Sequence, residues 1–360
     1  MSDVFEFDAV VIGAGIVGLA IAHELSKTYE NLLVVDKERS FGQHVSSRNS
    51  EIIHSGIYYP KETLKTKLCV EGNKLLYKFL EKYNIPHKKC GKLIVATNER
   101  EEQTLEQLYE RGIENGISEL SVVDANTYEP HIKATKALYV PSTGIIDSHS
   151  TMAKLEQLSQ ENGAIILYNT KISEINKKNN IYELTTKDSD VIIQTNIVIN
   201  SAGLWSDQVA KLAGIDDYKL HWCKGEYYKT SKHKKMNHLV YPTPDPEGKY
   251  LGIHTVLDLD GNLSFGPNAY YVDEIDYKMK EDNKVQFYKA INRYLDINWC
   301  DLRPATTGIR PKLQAKGDLF KDFVIKNEPE HKNFINLIGI ESPGLTCCLS
   351  IAKYVKEIIK

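Results

Sequence analysis

Three glycines near the start of the chain have the spacing that binds the phosphates of a dinucleotide. Gly13, Gly15 and Gly18 form a G-x-G-x-x-G loop between the apolar run 8–12 and a helical pattern. Gly13 allows a tight turn, Gly15 lets backbone N–H groups approach a pyrophosphate, and Gly18 lets the helix pack on the strand. The positive end of the helix then stabilises the phosphates. The sequence therefore predicts a dinucleotide site.

Two further features indicate which dinucleotide is bound. Asp36 ends the second predicted strand, 32–36, where its carboxylate can accept hydrogen bonds from ribose hydroxyls and would repel a 2′-phosphate. No second phosphate loop follows, which argues against an enzyme that holds both FAD and NAD. A second helix N-terminus is predicted at Gly344, and a positive helix end suits the anionic pyrimidine end of a reduced flavin. These features favour a flavin over a nicotinamide.

Composition and charge narrow the class of protein. The chain has 360 residues, enough for two domains, and a net charge of -3 with acidic and basic residues interspersed. No nucleic-acid partner is expected, and the basic run 231–235 predicts a solvated loop. Because no apolar segment could span a bilayer and the first residues are acidic, we expect a soluble, cytoplasmic protein, with peripheral contact to the inner face of the membrane left open. The six scattered cysteines predict neither disulfides nor a metal site.

Apolar periodicity places these motifs in an alternation of strands and helices. Helical spacing predicts helices over 64–83, 99–115, 150–162 and 345–359. Apolar runs predict strands over 92–96, 137–141, 164–168, 171–175, 196–201 and 334–339. The βαβ pattern of the N-terminus is expected to resume at 164–175. Alternating, tyrosine-rich stretches predict an antiparallel sheet from 224–228, 249–254 and 262–266.

Several motifs resemble those of a known family. The segment 46–59 resembles the serine-rich run closing in N-S-x-x-I-H-S-G-I-Y-Y of the L-2-hydroxyglutarate dehydrogenase/oxidase family, in the FAD-dependent D-amino-acid-oxidase-like superfamily. Further matches occur in order at 90–96, 143–147, 201–207, 224–228 and 266–269. The resemblance implies FAD and the oxidation of a CH–OH or CH–NH bond by hydride transfer to the isoalloxazine.

Some positions depart from the pattern of that family. Arg48 stands where the family often has histidine, and Glu51 stands where it often has glycine. The segments 307–313 and 339–346 resemble a shorter bacterial branch, whose substrates are less certain. The resemblance therefore supports the oxidoreductase fold more strongly than it supports one named acid.

The expected fold class is α/β. A doubly wound, Rossmann-like FAD-binding domain carries an inserted α+β substrate domain built on an antiparallel or mixed sheet. We assign 1–80, 141–218 and 315–360 to the discontinuous FAD-binding domain, and 81–140 and 219–314 to the substrate-binding domain. The flavin is expected to lie across the boundary between the domains, where pockets commonly form.

The glycine loop and the matched motifs together predict the cofactor-binding residues. They are Gly13, Gly15, Ile16, Val17, Gly18, Asp36, Lys37, Ser46, Ser47, Asn49, Ser50, Ile172, Ala202, Gly203, Trp205, Gly339, Ser342, Pro343, Gly344, Leu345 and Thr346. Trp205 is expected to pack near FAD rather than to touch the substrate.

His54 is the predicted general base. A neutral imidazole near pH 7 can take a hydroxyl proton while the C2 hydride passes to flavin N5. His54 also lies in a glycine-flanked, tyrosine-rich loop rather than on an apolar helix face. Two alternatives stay open, an imidazole that only hydrogen-bonds the flavin and one that is attached to it.

Arg310 is the predicted anchor for a substrate carboxylate, which its planar guanidinium can bind through two parallel hydrogen bonds. The superfamily often binds its substrate carboxylate through an arginine near this position, and the alternative is a surface ion pair. A dicarboxylate would need a second cation, and the sequence does not rank the candidates Lys224, His254, Arg303 and Lys312.

Three more residues are predicted to contact the substrate, each with a structural alternative. Tyr58 and Tyr59 either supply hydroxyl donors to the pocket or are ordinary half-buried tyrosines. Asn268 is either a pocket amide or a turn residue after Pro267.

The predicted function is FAD-linked oxidation of an L-2-hydroxy acid, with L-2-hydroxyglutarate as the leading substrate. One alternative is an amine or amino-acid oxidase of the same superfamily, which can dispense with a base. Another is a flavin-binding protein without turnover. The electron acceptor, whether dioxygen, a quinone or a protein, stays open.

Overall fold

The computed structural model describes residues 3–187, 189–232, 236–244 and 252–359. In this part the strands are β1 (Val4–Ile12), β2 (Leu32–Val35), β3 (Ile52–Ile53), β4 (His87–Lys88), β5 (Lys92–Ala96), β6 (Ser121–Val123), β7 (Lys136–Val140), β8 (Gly144–Ile146), β9 (Ile165–Leu167), β10 (Ile172–Lys178), β11 (Ile181–Thr186), β12 (Ser189–Asn200), β13 (His221–Thr230), β14 (Leu239–Pro242), β15 (His254–Leu257), β16 (Leu263–Gly266), β17 (Tyr270–Val272), β18 (Arg303–Lys312), β19 (Val324–Asn327) and β20 (Phe334–Ile338). The α-helices are α1 (Ile16–Leu25), α2 (Leu64–Lys82), α3 (Glu99–Glu114), α4 (Ala125–Tyr128), α5 (Ser148–Glu161), α6 (Ser206–Leu212), α7 (Lys284–Ile291) and α8 (Gly344–Ile358).

Most predicted elements form close to their predicted bounds. Two predictions fall partly outside the described residues, at 233–235 of the basic loop and at 249–251 of a tyrosine-rich strand. All six cysteines are free, and five of them are buried, as expected of small apolar side chains. None of the described helices has the length and apolar character needed to cross a membrane.

The chain divides into two compact units. The first comprises Met1–Ser47, Ser148–Trp222 and Arg310–Lys360. Its sheet is built around β1, which pairs in parallel with β2 and β12, while β9 and β20 extend the parallel part. Val10 and Ile12 pack into one apolar cluster with residues of α6. Ala9 and Val11 alternate with them and are equally buried, because both faces of a parallel sheet are covered.

The prediction that the βαβ pattern resumes after α5 is only half correct. β9 does pair in parallel with β2. However, β10 pairs antiparallel with β11, which pairs antiparallel with the first half of β12. The alternation of apolar residues in 171–175 predicts a strand, but it does not specify the direction of the neighbouring strand.

The second unit comprises Arg48–Asp147 and Cys223–Ile309. It contains three sheets, with the strand orders β14-β5-β7-β6, β15-β16-β13-β17 and β3-β8-β4, and β18 also pairs with β13. All of the registered pairs in these sheets are antiparallel except β14 with β5. The unit is therefore the mixed, largely antiparallel α+β substrate domain that the sequence predicts.

The units differ from the predicted domains mainly at 48–80, which we expected in the FAD-binding domain. Long-range pairs hold this segment in the second unit. Ile52 on β3 pairs with Ile145 on β8. The side-chain amide of Asn73 on α2 donates to the backbone oxygens of His54 and Ser142, at 2.9 Å in each case. The short stretches 141–147, 219–222 and 310–314 also belong to the other unit than predicted.

Glu51 has a left-handed backbone, with φ 52°. Its N–H donates to Asn49 Oδ1 at 2.8 Å, and its carbonyl oxygen accepts from the N–H of Ile146 at 3.0 Å. These hydrogen bonds hold a conformation that favours glycine. The left-handed conformation explains why glycine suits this position.

We expect Glu51→Gly to change the free energy of unfolding by no more than about 1 kcal/mol, because relief of the backbone offsets the extra freedom of glycine in the unfolded chain. Glu51→Val should destabilise the protein by about 1 to 3 kcal/mol, since a β-branched residue is strained at positive φ. Urea unfolding followed by circular dichroism measures both. A loss above about 2 kcal/mol for Glu51→Gly would instead assign stability to the carboxylate.

Candidate active site

The glycine loop lies between β1 and α1 in the first unit. Gly13 has φ 110°, and a Cβ there would lie 2.6 Å from the carbonyl oxygen of Ser201. A Cβ on Gly18 would lie 1.9 Å from the carbonyl oxygen of Gly13. Beside Gly15, the hydroxyl of Ser46 accepts a hydrogen bond from the N–H of Ile16 at 3.0 Å. The structure thus gives Gly13 and Gly18 their predicted geometric roles, and contact with a pyrophosphate stays a prediction.

Asp36 lies directly against this loop. Its Oδ2 accepts from the N–H of Ala14 at 2.7 Å, and its Oδ1 accepts from the N–H of Glu38 at 2.8 Å. Burial raises the pKa of Asp36, although these two donors act in the opposite direction. The carboxylate is therefore fixed at the carboxyl end of β2, next to the loop that would bind the phosphates.

Lys37, the residue after Asp36, contacts the indole ring of Trp205. The ammonium of Lys37 lies 2.9 Å from the ring centroid of Trp205, and the ring of His44 meets the same indole edge-on at 4.7 Å. Burial lowers the pKa of Lys37. The structure therefore brings together two predicted cofactor residues that are distant in the sequence, Lys37 and Trp205.

The carboxyl end of β12 and the start of α8 supply further predicted cofactor positions. Gly203 has φ 56°, and a Cβ there would meet no described atom within 4 Å. α8 begins at Gly344, and the preceding Pro343 has no side chain that could accept from the first turn. An uncapped helix N-terminus and open space beside the sheet fit a bound dinucleotide. Gly339, Ser342, Leu345 and Thr346 flank this turn, and Ile172 begins β10.

Not all of the predicted cofactor residues belong to the first unit. Ser47 ends a short 3-10 helix there, and Val17 lies on α1. Asn49 and Ser50 belong to the second unit. Asn49 accepts from the N–H of Glu51, as described above, and the hydroxyl of Ser50 lies 2.9 Å from that of Tyr227.

His54 follows β3 in the second unit and is held through its backbone. Its carbonyl oxygen accepts from the amide of Asn73 at 2.9 Å and from the thiol of Cys69 at 3.6 Å. Burial, and then the positive charge of Lys92 and the nearby His254, lower the pKa of His54 to about 3. The imidazole is therefore neutral near pH 7, which is the form that accepts a proton.

A buried lysine accompanies this histidine. Lys92 on β5 is 1% exposed, and its Nζ lies 4.4 Å from the ring centroid of Tyr58 and 4.8 Å from that of Tyr241. The ring of His254 stacks on Tyr241 with centroids 3.8 Å apart and an interplanar angle of 9°. We call His54, Tyr58, Lys92, Tyr241 and His254 the His54 cluster.

Sequence reasoning missed two members of the His54 cluster, Lys92 and Tyr241. Lys92 begins a predicted strand. The other four residues of this strand are apolar, and the structure shows them fully buried. The available signal was this single charge in an apolar run, inside the matched motif 90–96. A charge that is kept in a core strand points to a function.

The tyrosines of the cluster have unsatisfied hydroxyls. Among the described residues, the hydroxyls of Tyr58 and Tyr241 are buried without a hydrogen-bond partner. Burial raises the pKa of both side chains. Both are therefore neutral donors at physiological pH. The predicted neighbour Tyr59 accepts from the amide of Asn115 through its backbone oxygen at 3.0 Å.

Two predicted substrate residues have structural partners instead. Lys224 is 2% exposed, lies 3.5 Å from a carboxylate oxygen of Asp276 and donates to the backbone oxygen of Lys278. The amide oxygen of Asn268 accepts from the N–H of Glu226 at 2.8 Å, and its amide nitrogen lies 3.4 Å from a carboxylate oxygen of the same residue. Both side chains therefore have polar partners within this chain, and their contact with a substrate stays a prediction.

The remaining predicted cations all lie on β18. Arg310 is half-buried on β18 and belongs to the first unit. Lys312 pairs with Glu341 at 3.2 Å. Arg303 is exposed. Of the four candidates for a second cation, the structure therefore brings His254 alone into the His54 cluster.

Within the described residues, no group of three or more histidine, cysteine or acidic side chains is arranged to hold a metal ion. The first unit provides a glycine loop, an acid at the end of β2 and an uncapped helix N-terminus, while the second provides the half-buried imidazole of His54. A parallel sheet with such a loop and acid is typical of a dinucleotide-dependent enzyme.

Comparison with known proteins gives the family. The family model described as FAD dependent oxidoreductase, DAO, matches residues 8–358. A protein of Arabidopsis thaliana named L-2-hydroxyglutarate dehydrogenase, mitochondrial, is 39% identical, over 97% of this chain and 82% of its own length. A human protein of the same name is 35% identical, over 98% of this chain and 89% of its own. The chain therefore belongs to the FAD-dependent oxidoreductases of the DAO family, in the branch of the L-2-hydroxyglutarate dehydrogenases.

Solved structures agree with this assignment. The FAD-bound L-alpha-glycerophosphate oxidase from Mycoplasma pneumoniae superposes with a TM-score of 0.89 at 28% identity, covering 99% of this chain and 95% of its own. Glycine oxidase from Geobacillus kaustophilus has a TM-score of 0.81 at 18% identity, with coverage of 98% and 94%. The first is a flavoenzyme like this chain, and the second shows the shared fold. FAD is the cofactor of this family.

Proposed function

We propose that this protein oxidises L-2-hydroxyglutarate to 2-oxoglutarate. The observation that carries the proposal is the His54 cluster, in which the half-buried imidazole of His54 accompanies Lys92 and two tyrosines. The names of the Arabidopsis and human relatives support the choice of substrate. A cytoplasmic location stays a prediction, because both of those names place the relatives in mitochondria.

The proposed reaction removes a proton from the C2 hydroxyl oxygen and a hydride from C2. His54 accepts the proton of the C2 hydroxyl at an imidazole nitrogen, so that the C–O bond becomes a carbonyl. FAD, when bound, supplies the acceptor for the hydride from C2. The hydroxy acid is thereby oxidised by two electrons, which FAD would accept when bound. Arg310 binds the carboxylate next to C2 and orients the C–H bond.

FAD reports its own reduction, so the first experiment needs no electron acceptor. Flavin absorbance near ~450 nm is followed under anaerobic conditions while candidate donors are added. The donors are L- and D-2-hydroxyglutarate, smaller 2-hydroxy acids, glycerol 3-phosphate, and N-methyl and primary amino acids. We expect bleaching by L-2-hydroxyglutarate and none by its enantiomer. Bleaching by an amine alone would transfer the protein to the amine oxidases.

We expect Arg310→Ala to raise the KM for L-2-hydroxyglutarate about 10- to 100-fold, since a charged hydrogen-bonded pair is lost, and to change kcat less. Arg310→Lys should recover part of the loss, because an ammonium keeps the charge without the bidentate geometry. Steady-state kinetics with a dye acceptor measures both constants. Arg100→Ala, at an exposed arginine of α3, is the matched control. An unchanged KM for Arg310→Ala would remove this residue from substrate binding.

A further inference from the structure

Lys92 has no anionic partner in the part of the chain that the structure describes. Its described contacts are the ring faces of Tyr58 and Tyr241. An ammonium group is costly to bury without a counterion, and cation–π contacts offset only part of that cost. The other residues of β5 are Leu93, Ile94, Val95 and Ala96, all fully buried, so packing alone does not require a charge here.

The neighbours of Lys92 include further donors that have no partner among the described residues. The ammonium has three N–H donors and no acceptor, and each tyrosine hydroxyl adds one more donor. The hydroxyls of Tyr58 and Tyr241 have no partner among the described residues. A group with several acceptor oxygens and a negative charge would satisfy all of these donors, and a carboxylate has both properties.

We propose that Lys92 binds the second carboxylate of a dicarboxylic substrate, at the end remote from C2, with the hydroxyls of Tyr58 and Tyr241 as further donors. This inference rests on the proposed function, because it names the residue that makes the enzyme select a dicarboxylate. It also supplies the second cation that the sequence left open. Lys224 and Lys312 already pair with carboxylates of this chain, and Arg303 is exposed.

The charge of Lys92 should make this binding depend on pH. Burial lowers the pKa of Lys92 to about 7. The ammonium therefore dominates below pH 7 and is lost as the pH rises, so a carboxylate binds more weakly and takes up a proton on binding. The titratable groups around Lys92 are His54, His254, Cys69, Tyr58 and Tyr241. The variant Lys92→Arg, which stays charged, separates the contribution of Lys92 to the pH dependence of binding from the contributions of these groups.

Glutarate and pentanoate test the proposal without turnover. They have the same carbon chain and no C2 hydroxyl, and they differ by one carboxylate. Their Kd values for the oxidised holoenzyme are measured by calorimetry at pH 6 and pH 9. At pH 6 we expect Lys92→Met to raise the glutarate Kd about 10- to 100-fold and to change the pentanoate Kd less than about threefold, whereas at pH 9 the two glutarate Kd values should approach each other. For Lys92→Arg we expect tight glutarate binding that no longer weakens between pH 6 and pH 9.

Equal effects of Lys92→Met on both ligands, or no effect on either, would overturn the proposal. So would the same pH dependence in Lys92→Arg as in the unmodified enzyme, or a holoenzyme that binds neither ligand. Flavin content and circular dichroism check that each variant is folded, and Lys92→Gln replaces the methionine variant if that one is not.

Reductive titration with L-2-hydroxyglutarate separates this proposal from the proposed function. If glutarate binds through Lys92 but L-2-hydroxyglutarate does not bleach the flavin, the proposed function fails and the carboxylate subsite stands. If L-2-hydroxyglutarate bleaches the flavin with the same half-saturation in Lys92→Met, the function stands and the subsite fails.

Discussion

Replacement of His54 by asparagine is expected to slow flavin reduction by L-2-hydroxyglutarate by about 10²- to 10⁴-fold, because the base that takes the hydroxyl proton is lost. The flavin content should stay unchanged, because the described contacts of His54 lie in the second unit and its backbone hydrogen bonds do not need the imidazole. Anaerobic stopped-flow absorbance measures the rate. His131→Asn, at an exposed histidine of the same unit, should reduce at the rate of the unmodified enzyme.

The pH profile adds a second readout for His54. Since its pKa is lowered to about 3, the imidazole is already neutral above about pH 5, and it should add no acid limb to the rate from there to pH 9. An unchanged reduction rate in His54→Asn would place the base elsewhere.

Gly18→Ala is expected to abolish FAD binding. The added methyl group would lie 1.9 Å from the backbone oxygen of Gly13, and neither α1 nor the loop can yield without opening the phosphate site. Overpacking of this kind costs at least about 1 to 3 kcal/mol, and here it displaces the N–H groups that would bind the pyrophosphate. We therefore expect a loss of FAD affinity of at least about 100-fold, together with a lower melting temperature.

Bound FAD per chain after gel filtration, together with thermal unfolding, measures this effect. Gly116→Ala is the control, since it adds the same methyl group at φ 79° where no described atom lies within 4 Å. It should cost about 1 kcal/mol and keep the flavin. Full flavin content in Gly18→Ala would show that the loop is not the phosphate site.

Local pattern was sufficient for most of the fold. Helix periodicity placed α2 and α3 to within one residue at each end, because both have an apolar stripe and a capping side chain, Thr63 or Asn98, at the start. The glycine loop was predictable because the backbone around Gly13 and Gly18 leaves no room for a Cβ atom. Strand direction and domain boundaries were not, since they depend on pairs such as Ile52 with Ile145.

The His54 cluster shows the same limit at the level of the site. His54 was found through its motif, whereas Lys92 meets Tyr241 only because β5 and β14 pair in parallel. In that register Lys92 is opposite Leu239, and Tyr241 is two positions further along, on the same face. Nothing in the sequence around Lys92 specifies that partner strand. In the same way, the matched motifs do not reveal that Asp276 and Glu226 contact the side chains of Lys224 and Asn268.

The pairing of β20 with β12 and the packing of α8 on α1 have a consequence for synthesis of the protein. The glycine loop is translated long before α8, the helix that packs on α1. Until α8 is made, the loop and α1 lack part of their packing. FAD should therefore be captured by a chain that already includes α8, and nascent chains that stall before α8 should accumulate without flavin.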